Sequence, residues 1–201
     1  MLKLYGSSQS RSVRVLWTLN ELGLQFEHFP VLPGQARTPE HLKRNPNGHV
    51  PVLEDNGQLI FESLAINMHL AEAYGKAPFW PATLGDRATL YQWTLWSQTE
   101  VEWAYALVLR HTVILPPEQR SAEVVEQVKG QFAHPLGVLN NYLNGRQYLI
   151  GDSFSVADLN VAGMLRTLPR VKVDLAAYPA LSSWLNRCLE REAYQKALKM
   201  P

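Results

Sequence analysis

Two short segments carry side chains suited to binding a small polar molecule. One is the loop after the first apolar segment, which contains four serines: Ser7, Ser8, Ser10 and Ser12. The other is Glu62-Ser63, which directly precedes a segment with helical periodicity. A helix N-terminus offers unpaired N–H groups and partial positive charge, so Ser63 marks a carboxylate site. Glu62 beside it can accept an ammonium group, and the pair therefore matches the zwitterionic head of an amino acid.

The serines lack the sequence signature of a serine hydrolase. No G-x-S-x-G segment surrounds any of them, and no motif pairs them with a histidine or a carboxylate. Their loop follows a strand, and ligands of open α/β folds bind at the carboxyl edge of the sheet. The loop is therefore a candidate ligand site without the motif of a hydrolase nucleophile.

The elements that must position these segments alternate between strand and helix. The pattern predicts strands at 2–5 and 26–32, helices at 11–22, 39–44 and 64–74, and a hairpin turning at Asn56-Gly57. This order, βαβ followed by α-ββ-α, predicts a thioredoxin-like domain. Before the hairpin, residues 45–48 form a dense turn signal, and Pro51 at the start of a strand invites a cis peptide bond.

The segment from residue 39 to residue 63, PEHLKRNPNGHVPVLEDNGQLIFES, resembles the glutathione site of cytosolic glutathione transferases. The resemblance implies that the backbone of Val50, before a cis Pro51, pairs with the cysteinyl unit of glutathione. It implies that Glu62 and Ser63 hold the γ-glutamyl end. Glutathione is then the co-substrate, and no metal is implied.

Serine-type members of this family, the theta-like, phi-like and zeta-like classes, use a loop serine to donate a hydrogen bond to the glutathione sulfur. Counting back four residues from Arg14, as in theta-like and phi-like members, gives Ser10. Counting as in zeta members, whose loop reads S-S-C-S, gives Ser7, with Gln9 in place of their cysteine. We favour Ser10 and keep Ser7 as the alternative. Lowering a thiol pKa of ~8.5 by two units requires about 2.7 kcal/mol of preference for the anion.

Two further residues are implied at the peptide's glycyl end. Arg37 lies where phi-like members place a lysine for the glycyl carboxylate, and arginine binds carboxylates with two hydrogen bonds. His49 lies in G-x-V-P, where members place Gln or Lys against the peptide. The alternative for both is an exposed loop side chain.

The second half of the sequence is helical and less informative. Residues 78–85 hold prolines and a glycine and are expected to link a domain at 1–77 to an all-helical domain at 86–201. One long helix is predicted at 86–114, and a second from 117 to about 143 with a kink near Pro135. The long helix offers candidates for an electrophile pocket, although aromatic residues at helical spacing are more often core: Glu100, Trp103, Tyr105 and Arg110.

Ser155 and Asp158 have the spacing of a helix capping box with Asp in place of Glu. The family carries the same S-x-x-D at a buried helix, where it supports folding. The spacing accounts for Asp158 fully, so it is expected to cap a helix and not to take part in chemistry.

The overall composition excludes several classes of function. A net charge of +1 and 18% charged residues give no field that favours nucleic acid or a membrane surface. No apolar run approaches the ~20 residues of a membrane span. The single cysteine, Cys188, excludes an internal disulfide framework and suits a reducing compartment, so the cytoplasm is expected. The six histidines show no metal-ligand spacing.

These observations lead to one expected function and three alternatives. We expect a homodimeric, detoxifying glutathione transferase that activates the glutathione thiol as thiolate for attack on a small hydrophobic electrophile. One alternative is a glutathione-dependent peroxidase or disulfide-bond reductase. Another is a zeta-like maleyl ketoacid isomerase, which the missing loop cysteine disfavours. The third is a glutathione-binding or protein-interaction module without catalysis.

Overall fold

The computed structural model describes residues 1–32 and 34–201. Packing divides them into two compact units, one formed by Met1–Trp80 with Glu190–Pro201 and the other by Pro81–Leu189. The first unit therefore takes its last helix from a distant part of the sequence. Residues 190–201 belong to the expected helical domain at 86–201 but pack in the first unit. The boundaries expected from the sequence stay a prediction.

The first unit is built on a four-stranded sheet with strand order β2-β1-β3-β4. Strand β1 (Leu2–Tyr5) is parallel to β2 (Phe26–Phe29) and antiparallel to β3 (Val52–Asp55), which pairs with β4 (Gln58–Phe61). Helix α1 (Ser12–Glu21) connects β1 to β2, α2 (Pro39–Arg44) lies between β2 and β3, and α3 (Ser63–Tyr74) follows β4. This arrangement confirms the predicted thioredoxin-like order.

Helix α1 is the core helix of the first unit. Its apolar side chains are almost wholly shielded from solvent because it packs against both α3 and α10 (Glu192–Leu198). The Trp17 ring lies 4.8 Å from the Tyr194 ring, centroid to centroid. Arg191, just before α10, forms an ion pair with Glu21 at the end of α1. Two segments far apart in sequence thus share one core.

The second unit begins with the predicted long helix, which is helical throughout but not regular. Helices α4 (Leu84–Trp96) and α5 (Trp103–Leu109) are separated by a π-helical segment, Ser97–Glu102, and a second one follows at Arg110–Ile114. The predicted long helix at 86–114 is therefore present, but two π-helical segments interrupt its α-helical geometry. A π-helical turn accommodates an extra residue and re-aims the side chains that follow it.

Four more helices complete the second unit: α6 (Ala122–Gly130), α7 (Ala133–Leu143), α8 (Val156–Leu165) and α9 (Pro179–Leu189). The prediction of a single helix from 117 to 143 is wrong, since α6 ends at Gly130 and a separate helix, α7, begins at Ala133. Pro135 lies in the first turn of α7, where a missing N–H costs nothing. Every residue of α8 is buried, which makes it the central helix of this unit.

A capping box begins α8. The Ser155 N–H and hydroxyl both donate to Asp158 Oδ2, at 3.0 and 2.9 Å. Asp158 Oδ1 accepts from the Leu149 N–H at 2.8 Å and from Trp184 Nε1 at 2.9 Å. Burial raises the pKa of this carboxyl, against the opposing effect of its four donors.

Within the described ranges, none of the helices is long and apolar enough to cross a membrane.

Candidate functional site

The serine loop begins at a glycine that no other residue can replace without rearrangement. Gly6 has φ +146°, and a Cβ built there would lie 1.9 Å from Ser12 Oγ. The same Cβ would lie 3.4 Å from Val50 Cβ. The loop that carries the serines therefore runs beside the loop that carries Val50, which brings two of the predicted site segments together.

The hydroxyl of Ser10 already takes part in the loop's own hydrogen bonds. It lies 2.7 Å from the Ser7 carbonyl oxygen and 2.9 Å from Ser12 Oγ, and it accepts from the Ser12 N–H at 3.1 Å. A hydroxyl has one proton, so only one of the first two contacts is donated by Ser10. The Ser7 hydroxyl makes no hydrogen bond with any residue in the described part of the chain.

The final residues of the sequence hold the serine loop from one side. Ser8 donates through its hydroxyl to the Met200 carbonyl at 2.7 Å and through its N–H to the Pro201 carbonyl at 3.1 Å. This leaves Ser8 as a fixed structural residue. The sequence offered no signal for this contact, because the partners lie 192 residues apart.

The loop before β3 is held by two side chains that sequence reasoning did not single out. The His49 carbonyl accepts from His41 Nε2 and from Asn45 Nδ2, each at 2.9 Å. The Val50–Pro51 peptide is cis. Neither the N–H nor the C=O of Val50 has a hydrogen-bond partner within residues 1–32 and 34–201. The backbone N–H and C=O of Val50 are therefore both available for hydrogen bonds.

Arg37 and His49 are both exposed side chains near this loop. Arg37 follows the turn at Gly34 and lies against the loop, since a Cβ at Gly48 would come 3.3 Å from Arg37 Cγ. Gly48 has φ +64°, a conformation that favours glycine. The structure thus places Arg37 next to the segment that ends in Val50, with its charged end open to solvent.

Helix α3 begins at Ser63, and the residue before it has an unusual backbone. Glu62 has φ +73° and ψ +109°, a sparsely populated conformation for a residue with a side chain. Its carboxylate is exposed and has no partner among the described residues. Ser63 is buried, and its hydroxyl oxygen accepts from Arg14 Nη1 at 3.3 Å. Sequence reasoning used Arg14 only to count residues; the overlooked signal was a charge on an otherwise buried helix.

The candidates for an electrophile pocket all lie in the second unit. Glu100 and Arg110 are exposed and belong to the two π-helical segments, and Trp103 begins α5 with 49% of its surface exposed. Tyr105 is buried and packs in the core of this unit. The role of the first three stays a prediction. Among residues 1–32 and 34–201, no group of three or more His, Cys, Asp or Glu is arranged to hold a metal ion.

Comparison with known proteins identifies the family. Residues 1–72 match the family model of the glutathione S-transferase N-terminal domain, and residues 103–192 match that of the C-terminal domain. The chain is 30% identical over 208 residues to glutathione S-transferase GstB of Escherichia coli (strain K12), covering 100% of this chain and 99% of that protein. It is 33% identical over 213 residues to glutathione S-transferase 3 of Zea mays, covering 98% and 93%.

A solved structure agrees with these sequence matches. Glutathione S-transferase-I bound with lactoylglutathione superposes with a TM-score of 0.84 and 29% identity, covering 98% of both chains. The chain therefore belongs to the glutathione S-transferase family. It is a glutathione transferase, with glutathione as its co-substrate, which confirms the resemblance, the fold class and the enzyme class expected from the sequence.

Proposed function

We propose that this protein binds glutathione along the first unit and activates its thiol as a thiolate that attacks a small electrophile. The γ-glutamyl carboxylate lies at the N-terminus of α3 with Ser63, and the γ-glutamyl ammonium pairs with Glu62. The cysteinyl backbone pairs with Val50, and the glycyl carboxylate lies near Arg37 and His49. The observation that carries this proposal is the Val50 backbone, which lies beside the serine loop and has no hydrogen-bond partner in the described part of the chain.

The thiol donor is assigned to Ser10, with Ser7 as the alternative. The Ser10 hydroxyl has one proton to donate. To donate it to the sulfur, Ser10 must give up a hydrogen bond to the Ser7 carbonyl oxygen or to Ser12 Oγ. The Ser7 hydroxyl has no such competing partner among the residues that the structure describes, so the two serines need a direct comparison. A hydroxyl donor and the N-terminal dipole of α1 act together to favour the thiolate.

The test is a titration of the thiol of bound glutathione, followed by ultraviolet absorbance. We expect the bound thiol to have a pKa well below the free value of ~8.5. Ser10→Ala should return it toward that value, while Ser8→Ala, which changes a hydroxyl bonded to Met200, should leave it unchanged. If Ser7→Ala has the effect expected of Ser10→Ala, the alternative assignment is correct. Tight binding with an unshifted thiol would instead identify a binding module without catalysis.

The electrophile is assigned to the exposed side chains of the second unit, with Trp103 as its main contact. A half-exposed tryptophan offers apolar area and a flat face to a small aromatic electrophile. Trp103→Ala should raise the KM for the electrophile several-fold and leave the KM for glutathione unchanged. An equal change in both would remove Trp103 from the electrophile pocket.

We further propose that the protein is a homodimer that acts in the cytoplasm, where reduced glutathione is maintained. Each unit exposes apolar side chains: Leu59 and Phe61 on β4 in the first unit, and Leu84, Tyr91 and Leu95 along one face of α4 in the second. Leu95→Glu should shift the mass measured by light scattering from dimer to monomer. Glu123→Ala on α6 is the matched surface control, and an unchanged mass in Leu95→Glu would exclude this face.

A further inference from the structure

Arg14 is a buried arginine on α1, the most completely buried helix of the first unit. It is 3% exposed, and its neighbours on α1 include Val13, Val15, Leu16 and Trp17, all fully buried. Removing a guanidinium from water is costly unless hydrogen bonds replace its hydration. One of these bonds runs from Arg14 Nη1 to Ser63 Oγ at 3.3 Å. The buried guanidinium of Arg14 is therefore hydrogen-bonded to the first residue of α3.

The contact fixes the direction of the Ser63 hydroxyl. Arginine carries donors and no acceptor, so Ser63 Oγ must act as the acceptor in this bond. The one proton of the Ser63 hydroxyl is then directed away from Arg14. Because Ser63 begins α3, the hydroxyl is set as a donor in addition to the free N–H groups of the first turn.

The contact also places a permanent positive charge behind this helix terminus. The N-terminus of an α-helix carries the equivalent of about half a positive charge. The guanidinium stays protonated across the working pH range of a protein. Both favour a negatively charged group at the start of α3.

We propose that Arg14 is a positioning residue for the γ-glutamyl carboxylate of glutathione. It holds the Ser63 hydroxyl as a donor and supplies a buried positive charge beneath the N-terminus of α3. This inference rests on the proposed glutathione site, because it names the residue behind one end of that site. Arg14 is 3% exposed and bonded to Ser63, so its proposed role is exerted through Ser63 and not on the reacting sulfur.

The experiment compares two ligands that differ only in the group that Arg14 is proposed to position. One is glutathione, and the other is the analogue whose γ-glutamyl carboxylate is replaced by a carboxamide. Binding of each is measured by calorimetry to the wild type and to Arg14→Met, which keeps the length of the side chain but not its charge. Arg14→Met should weaken glutathione binding about tenfold, which corresponds to about 1.4 kcal/mol, and leave the carboxamide analogue nearly unaffected.

Two further variants separate positioning from a general effect on folding. Thr18→Val removes a buried hydroxyl that donates to the Arg14 carbonyl on the same helix, at 3.2 Å, and should not change the ratio of the two affinities. Arg14→Lys keeps the charge and should retain most of the ratio. In Arg14→Met the thiol pKa of bound glutathione and the kcat at saturating glutathione should stay close to those of the wild type, because only ground-state binding is changed.

The outcomes separate this inference from the proposed function. The inference alone is overturned by two results together. The wild type binds glutathione with a lowered thiol pKa, and Arg14→Met loses affinity equally for both ligands or for neither. Wild type that does not bind glutathione overturns both. If Arg14→Met does not fold, Ser63→Ala replaces it. Ser63→Ala must then lower the affinity ratio while Arg14→Lys retains it, and an unchanged ratio in Ser63→Ala overturns the proposal.

Discussion

Asp55 is the acceptor of a cluster of hydrogen bonds at the end of β3, outside the proposed site. It accepts from His69 Nε2 at 2.7 Å and from the Tyr74 hydroxyl at 2.7 Å, and it is 8% exposed. Desolvation acts to raise the pKa of this carboxyl, but the bonds from His69 and Tyr74 outweigh it and hold the pKa below its usual range. The cluster joins the end of β3 to the last turn of α3.

Removing the Tyr74 hydroxyl should therefore destabilise the protein in a pH-dependent way. Tyr74→Phe should lower the free energy of unfolding at pH 7 by about 1.5 kcal/mol, the value of a hydrogen bond to a charged group. A lowered folded-state pKa stabilises above the unfolded-state value of about 3.9 and loses this effect as the pH falls through the folded-state pKa. The deficit should thus shrink below pH ~4.

Urea unfolding of Tyr74→Phe at several pH values measures this deficit. Tyr91→Phe is the control, since Tyr91 is exposed and its hydroxyl has no partner among the described residues. A deficit of the same size at pH 7 and pH 3 would show that Tyr74 acts through packing and not through Asp55.

Individual site residues could be predicted only where their partners are near in sequence. The capping box of Ser155 and Asp158 was visible because its spacing is local. The Arg14–Ser63 bond joins residues 49 positions apart, and no periodicity indicates which buried partner a guanidinium meets. The anchors of the His49 carbonyl were missed although they are near, because donors to a backbone carbonyl leave no pattern in side-chain types.

At the scale of elements, one carboxylate joins three parts of the second unit. Asp158 binds the start of α8, the chain at Leu149 and the Trp184 side chain of α9. Asp158→Ala would leave these donors buried without an acceptor, so we expect a loss of roughly 3–5 kcal/mol in the free energy of unfolding. The control is Asp152→Ala, because Asp152 is exposed in the turn region before α8. It should change the free energy of unfolding by less than about 0.5 kcal/mol.

Chemical denaturation followed by tryptophan fluorescence and by circular dichroism measures both variants. A loss in Asp158→Ala no larger than that in Asp152→Ala would mean that water replaces the carboxylate, and that the hydrogen bonds do not hold the three parts together.

Helix positions were predictable from the sequence, but helix regularity was not. Thr83 caps α4 by accepting from the Asp86 N–H at 3.1 Å, a local signal of the kind that sequence reasoning can find. The π-helical segment after α4 has no such signal, because it depends on how buried residues such as Ser97 and Glu102 fit the rest of the core. The break between α6 and α7 was misplaced because Pro135 suggested a kink and instead lies within the first turn of a new helix.

At the scale of the whole molecule, the first unit depends on residues from the end of the sequence. Tyr194→Ala removes the ring that packs on Trp17. We expect it to cost about 3 kcal/mol in the free energy of unfolding, as is usual for truncating a buried aromatic side chain. Lys199→Ala, at an exposed position after the same helix, is the matched control. Equal urea midpoints for the two variants would contradict a shared core of α1 and α10.

The contact between α1 and α10 also sets an order of events during synthesis. A ribosome releases residues 1–80 well before residues 192–198, and at 5–20 residues per second the delay is roughly 6–24 s. Until then the face of α1 that carries Trp17 has no cover from Tyr194. The part of the protein that is made first is therefore the last to be completed, and its apolar face is open to chaperones in the meantime.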